Sequence, residues 1–159
     1  MKNSNEVDIA QKLIRCKSIA PNADSALKIV EKECKSIGFR CTKLRFSQKG
    51  FDTINNLYVE IGNGKPHFSF AGHVDVVPAD KKEWRFDPFA GKIKNNFLIG
   101  RGAVDMKSAI ACFIFASKNY LEENKNFKGK ISMMISGDEE TFAINGTKKI
   151  LNWLKKKKN

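Results

Sequence analysis

Apolar residues along this chain change their spacing several times, and each change marks an element. Residues 5–14 place Val7, Ala10, Leu13 and Ile14 at helical intervals, which predicts a first amphipathic helix. A second helix is marked at both ends. Asn22 or Asp24 can cap it, Ala26, Ile29, Val30 and Cys34 form its apolar stripe, and Gly38 stands where a left-handed terminating residue belongs. The period then falls to two. Residues 40–46 and 56–61 predict strands, and residues 67–71 predict a short buried strand ending at Gly72. Residues 91–99 have strand length between Gly91 and Gly100. A strongly apolar helix is predicted over residues 106–121 with Asp105 as its cap, followed by a β-rich strand over residues 130–136 that runs into Gly137. Asn145 and Gly146 predict a turn before a last helix over residues 147–154.

Strand, helix and strand in succession from residue 91 to residue 136 suggest a βαβ unit. The wider alternation predicts an α/β fold with a largely parallel sheet flanked by helices on both faces. No internal repeat or linker interrupts the pattern. At 159 residues the expectation is one domain or a piece of one.

Charge complicates this picture and then simplifies again. The 29 Lys and Arg against 17 Asp and Glu give a formal net charge of +12, which raises nucleic acid or an anionic membrane as partners. The lysines are scattered, however, and the only dense run is residues 155–158. No RNP-like, zinc-finger or helix-turn-helix signature accompanies them, so neither nucleic acid nor membrane is an expected partner. The longest apolar run, residues 109–116, is far short of the roughly 20 residues that cross a bilayer. Residues 1–10 lack the basic-then-apolar layout of a signal peptide, and the expectation is a soluble cytoplasmic protein. Cys16, Cys34, Cys41 and Cys112 form no CxxC pair, which predicts free, mostly buried thiols rather than a structural zinc site or a disulfide framework.

Three element ends carry ionisable groups, and in open α/β sheets ligands bind beyond the carboxyl ends of strands. At the first, an apolar strand delivers His73 and Asp75 at positions i and i+2. Extended geometry would put both on one side, where Asp75 can accept a hydrogen bond from the imidazole while the other nitrogen takes a metal. The alternative is a histidine satisfied by a neighbouring carboxylate. At the second, Gly100 and Gly102 allow a tight turn before Asp105, which either caps the next helix or binds a metal. At the third, Asp138, Glu139 and Glu140 follow a buried strand. A hard cation would offset their repulsion and let one carboxylate ligate while another carries a proton; the alternative is an acidic solvated turn. His67, at a strand start, reads as structural.

Taken in order, these segments resemble a known family along nearly the whole chain. His73-Val74-Asp75-Val76-Val77-Pro78, Trp84 followed by Asp87-Pro88-Phe89, Gly100 to Lys107 read as GRGAVDMK, and Asp138-Glu139-Glu140 are similar to the motifs of the M20 group of dinuclear zinc hydrolases. Ile110-Ala111-Cys112-Phe113 also looks like bacterial members. Within M20 the resemblance is closest to the desuccinylase branch, with other deacylases and dipeptidases as rivals that share the metal motifs. The resemblance implies metal-dependent amide hydrolysis, with N-succinyl-diaminopimelate split to succinate and diaminopimelate. It implies two divalent ions as cofactors, zinc or in its place cobalt, and a small-molecule substrate. By the same resemblance His73 ligates one metal, Asp105 bridges both, Glu140 ligates the second, Asp75 orients His73, and Glu139 is the general base. Trp84 and Phe89 would shape the approach to the site or simply pack.

The chain departs from the family pattern in two small ways and one large one. Ser108 follows the DMK motif and Thr141 follows the DEE motif, where the family commonly has glycine. The larger departure is length. The resemblance implies a chain about twice as long or more, with a lid and dimerisation domain, homodimerisation of the full protein, a further acidic ligand and a late histidine. The expectation is therefore a partial catalytic domain from a truncated reading frame or gene fragment. On that reading each metal has two protein ligands here against the usual three, and an inactive remnant is a competing outcome.

Overall fold

A computed structural model describes residues 5–157. Two helices come first. Helix α1 (Glu6–Arg15) is capped by Asn5, whose side chain accepts from the Asp8 amide at 2.8 Å, and it buries Ile9, Ala10, Leu13 and Ile14. Helix α2 (Asp24–Ser36) buries Ala26, Leu27, Val30 and Cys34 and stops before Gly38, whose φ is +95°. Its expected side-chain cap is absent: Ala23 occupies the capping position, and Asp24 instead accepts from Asn55 Nδ2 at 2.8 Å.

The main sheet contains β1 (Arg40–Gln48), β2 (Phe51–Asn63), β3 (His67–His73) and β6 (Gly129–Ser136), in the order β1-β2-β6-β3. The α/β class holds, but the expected largely parallel sheet does not. β1 with β2 and β2 with β6 are antiparallel, and only β3 with β6 is parallel. The reason is local. Lys49 and Gly50, the latter at φ +85°, join β1 to β2 in a hairpin that fixes their directions as opposite, whereas β3 reaches β6 by a long crossover, the connection that a parallel pair requires.

The expected strand over residues 91–99 is a separate hairpin of β4 (Lys92–Lys94) and β5 (Phe97–Ile99), turned by Asn95 and Asn96 at positive φ. It is not the first strand of the anticipated βαβ unit; β3 takes that place. Helix α3 (Ser108–Glu123) follows an irregular turn over residues 103–107, and Asp105 does not cap it. Helix α4 (Thr147–Lys157) closes the described chain.

Alternation along β2 explains how helices cover both faces. Leu57 and Val59 point to the core shared with α1, α2 and α3, together with Met133 and Ile135 of β6. Tyr58 points the other way, into a smaller cluster with Leu44 and Ile150 of α4. Each fully buried aliphatic side chain in these clusters contributes roughly 1.5–3 kcal/mol. The larger core therefore fixes the sheet against three helices, and the parallel β3–β6 pair ends with His73 opposite Ser136.

Among the described residues no helix is long and apolar enough to cross a membrane. The cysteines are free, but only Cys34 is buried; Cys16 and Cys41 are half-buried and Cys112 is exposed, because α3 turns it away from the sheet.

Candidate metal centre

The ends of β3 and β6 lie side by side, and the chain beyond each is held there by hydrogen bonds. The Val74 amide donates to Ser136 O at 3.0 Å, and the Val76 amide donates to Ser18 O at 2.9 Å. Ser18 Oγ also donates to Val74 O at 2.6 Å. This lattice keeps residues 73–76 extended and buries His73 and Asp75.

His73 Nε2 lies 3.0 Å from Asp105 Oδ1 and 3.7 Å from Glu139 Oε2. His73 Nδ1 lies 3.1 Å from the Asp75 carbonyl oxygen and 3.5 Å from Asp75 Oδ1. The backbone carbonyl is thus the closer partner of the ring, where sequence spacing pointed to the carboxylate. The Asp75 carboxylate has a second task. Its Oδ2 accepts the amide protons of both Glu139 and Glu140 at 2.9 Å each, which ties the acidic loop to the histidine strand.

Electrostatics follow from this crowding. Burial works against the His73 imidazolium, but Asp75 and Asp105 outweigh it and raise the group to about 9. Burial would raise Asp75, yet His73 and the two loop amides bring it below the usual carboxylate range. Glu140 is pushed up, first by burial, and the neighbouring carboxylates of Asp105, Glu139 and Asp75 add to this against the opposing charge of His73.

Ligand atoms of His73, Asp105 and Glu140 lie within 4.8 Å of one another. One imidazole and two carboxylates, one of them destabilised as an anion by its neighbours, form a donor set that fits a divalent cation. Glu139 stands beside them and Asp75 behind, so the structure brings all five sequence-derived residues into one place. Asp138 is the exception within its triplet. Its carboxylate is buried and turned into its own loop, where it accepts from Thr141 Oγ1 and the Asn145 amide.

Gly102 makes the approach of Asp105 feasible. It has φ +81°, and a Cβ there would lie 2.8 Å from Val76 Cγ1. Lys107, not singled out from sequence, is fully buried beneath the same turn and donates to Cys16 O at 2.9 Å. Burial lowers its ammonium to about 8, with Cys16 and Asp75 opposing. Its signal lay in the GRGAVDMK run, where its position next to a candidate ligand could have drawn attention. Of the aromatic candidates, Trp84 lies under the Arg101 guanidinium at 5.4 Å, while Phe89 is buried in packing. His67 is bonded to Ser132 Oγ at 2.8 Å, at the far end of β3 from the site.

Comparisons with known proteins show the family and the fold. The sequence pattern of Peptidase family M20/M25/M40 matches residues 69–159. A succinyl-diaminopimelate desuccinylase of Pelagibacter ubique is 49% identical over 159 residues, covering 99% of this chain and 41% of the relative. One from Parvibaculum lavamentivorans is 49% identical over 149 residues, covering 93% of this chain and 37% of the relative. The chain thus spans about two-fifths of the length of the curated relatives it matches. Among solved structures, human carnosine dipeptidase 1 superposes with a TM-score of 0.80 at 20% identity, over 94% of this chain and 35% of that one. An M20 family metallo-carboxypeptidase of Sulfolobus solfataricus gives 0.78 at 24% identity, over 96% and 34%. These two likenesses establish the shared fold.

Proposed function

The chain belongs to peptidase family M20/M25/M40, and from that premise we propose that it is the amino-terminal part of the catalytic unit of a cytoplasmic, zinc-dependent desuccinylase. The substrate is N-succinyl-diaminopimelate, which water splits into succinate and diaminopimelate. The desuccinylases matched at 49% identity support this choice over other deacylases. The observation that carries the catalytic reading is the convergence of His73, Asp105 and Glu140 with Glu139 alongside.

In this reading His73 and Glu140 would each hold one of two ions, with Asp105 as a ligand to both. Zinc ions bound there, or cobalt in their place, would acidify a water molecule and polarise the scissile amide carbonyl. Glu139 is the general base. Its carboxylate is half-exposed and reaches to 3.7 Å from His73 Nε2, so it can take a proton from the attacking water and pass it to the departing amine. Asp75 holds both the imidazole and the amides of Glu139 and Glu140, and so keeps base and ligands in one frame.

The test is an assay of this chain extended to the length of its relatives, on N-succinyl-diaminopimelate and on N-acetylornithine. Hydrolysis of the succinyl substrate is expected. Activity on acetylornithine alone would transfer the assignment to another M20 deacylase.

A further inference from the structure

Residues 137–146 form neither helix nor strand, yet they must present two carboxylates to His73 against the repulsion of Asp105. Ordering such a loop costs about 1–2 kcal/mol per residue in backbone entropy, so side chains have to hold it. The Asp138 carboxylate does so with both oxygens. Oδ1 accepts from Thr141 Oγ1 at 2.6 Å and Oδ2 accepts from the Asn145 amide at 2.9 Å, while the Asp138 amide donates to Ser136 Oγ at 3.0 Å.

The ring so closed is anchored on β2. Asn56 Nδ2 donates to Asn145 O at 3.0 Å, and Asn56 Oδ1 accepts from the Gly137 amide at 3.2 Å. Asn145 Nδ2 donates to Asp52 O at 2.7 Å. Gly146 lets the ring close tightly, because a Cβ there would run into Asp138 O and Ser136 Oγ. Within the ring, the only amides turned toward Asp75 Oδ2 are those of Glu139 and Glu140.

We propose that Asp138 and Thr141 are a positioning pair, a hydrogen-bonded lock that fixes the Glu139 and Glu140 backbone so that both carboxylates face His73. The inference rests on the metal-site reading above. Asp138 acts by shape and not as a charge that draws the cation, since both its oxygens are engaged inside the loop. Thr141 stands where the family resemblance leads one to expect glycine, which has no hydroxyl to offer. In this chain a side-chain hydrogen bond fixes that corner.

Two readouts on the chain itself separate these ideas: zinc affinity by calorimetry, and amide exchange of Glu139 and Glu140 against Ile135 in the metal-free protein. Asp138→Ala should lower zinc affinity roughly 10–100-fold and speed exchange of both amides selectively. Asp138→Asn can still accept from the Asn145 amide and can donate to Thr141 Oγ1, so it should stay within about threefold of the native affinity with its amides protected. Thr141→Val and Thr141→Gly should each lose roughly tenfold.

The proposal is overturned if Asp138→Asn loses as much affinity as Asp138→Ala, which would make charge the cause, or if Asp138→Ala leaves both amides protected. Should Asp138→Ala fail to fold, Thr141→Val decides by the same readouts, and native affinity together with native exchange in that variant would refute the lock. If the native chain takes up no zinc while the exchange results hold, the metal-site reading falls and the lock stands.

Discussion

His73 Nε2 and Asp105 Oδ1 lie 3.0 Å apart although 32 residues separate them in the chain. The contact depends on the turn before α3, whose Gly102 sits at φ +81° against Val76. Gly102→Ala should therefore destabilise the fold by about 1–3 kcal/mol, from the strained backbone and the displaced valine together. Chemical denaturation measures this directly, and a variant of native stability would show that the turn tolerates a side chain.

Asp75 joins the two halves of the site through one carboxylate oxygen shared by two amides. Asp75→Ala strands those two amide donors and removes the carboxylate from beside the imidazole, while the backbone carbonyl remains. Zinc affinity should fall roughly 10–100-fold. Calorimetry on the folded variant checks this, and an unchanged affinity would mean that the acidic loop holds its place without Asp75.

Away from the site, Glu60 is buried on the α4 face of the sheet. It accepts from Lys130 at 2.6 Å and Lys157 at 3.2 Å, and it pairs with Arg40. Burial raises its carboxyl, but the three cations prevail and bring it to about 2. The folded value lies below the unfolded one near 4.3, so the stabilisation is complete above the unfolded value and is lost as pH falls through the folded one. With the partners partly exposed and screened, its size is on the order of 2 kcal/mol. Glu60→Gln should lower the urea midpoint at pH 6, and the gap to the native chain should narrow toward pH 2. A gap that stays constant with pH would contradict the ion cluster.

The proposed division of labour between adjacent glutamates gives a further test. In a chain extended to the length of its relatives, Glu139→Gln should keep its metal while kcat falls at least about 100-fold, as expected for loss of a general base. Glu140→Gln should lose metal as well. Equal metal loss in both would remove the distinction between base and ligand.

Much of this was legible in the sequence because period and punctuation are local signals. Val7 to Ile14 and Ala26 to Cys34 read correctly as helices, and Gly38 as the stop. Strand direction is not local. Nothing in the apolar pattern of β2 says that it runs against both β1 and β6, and the Lys49-Gly50 hairpin was the available cue. The split of residues 91–99 had a cue as well, in Asn95 and Asn96. The five residues proposed for the site could be picked out because they stand at element ends with motif neighbours, and the structure gathers them in one place. The loop-holding roles of Asn56 and Asn145 were not legible, since they arise from partners 81, 89 and 93 positions away, and the Lys107 motif gave no sign of its contact with Cys16 O, 91 positions away.

We propose that His73, Asp105 and Glu140 of this chain hold divalent cations, Asp105 being common to the ion of His73 and the ion of Glu140. Zinc titration by calorimetry of the native chain beside His73→Ala and Glu139→Gln tests it most directly. Binding should be present in the native chain, should lack the ion that His73 holds in His73→Ala, and should stay within about a few-fold in Glu139→Gln. Equal binding by native and His73→Ala chains would contradict it.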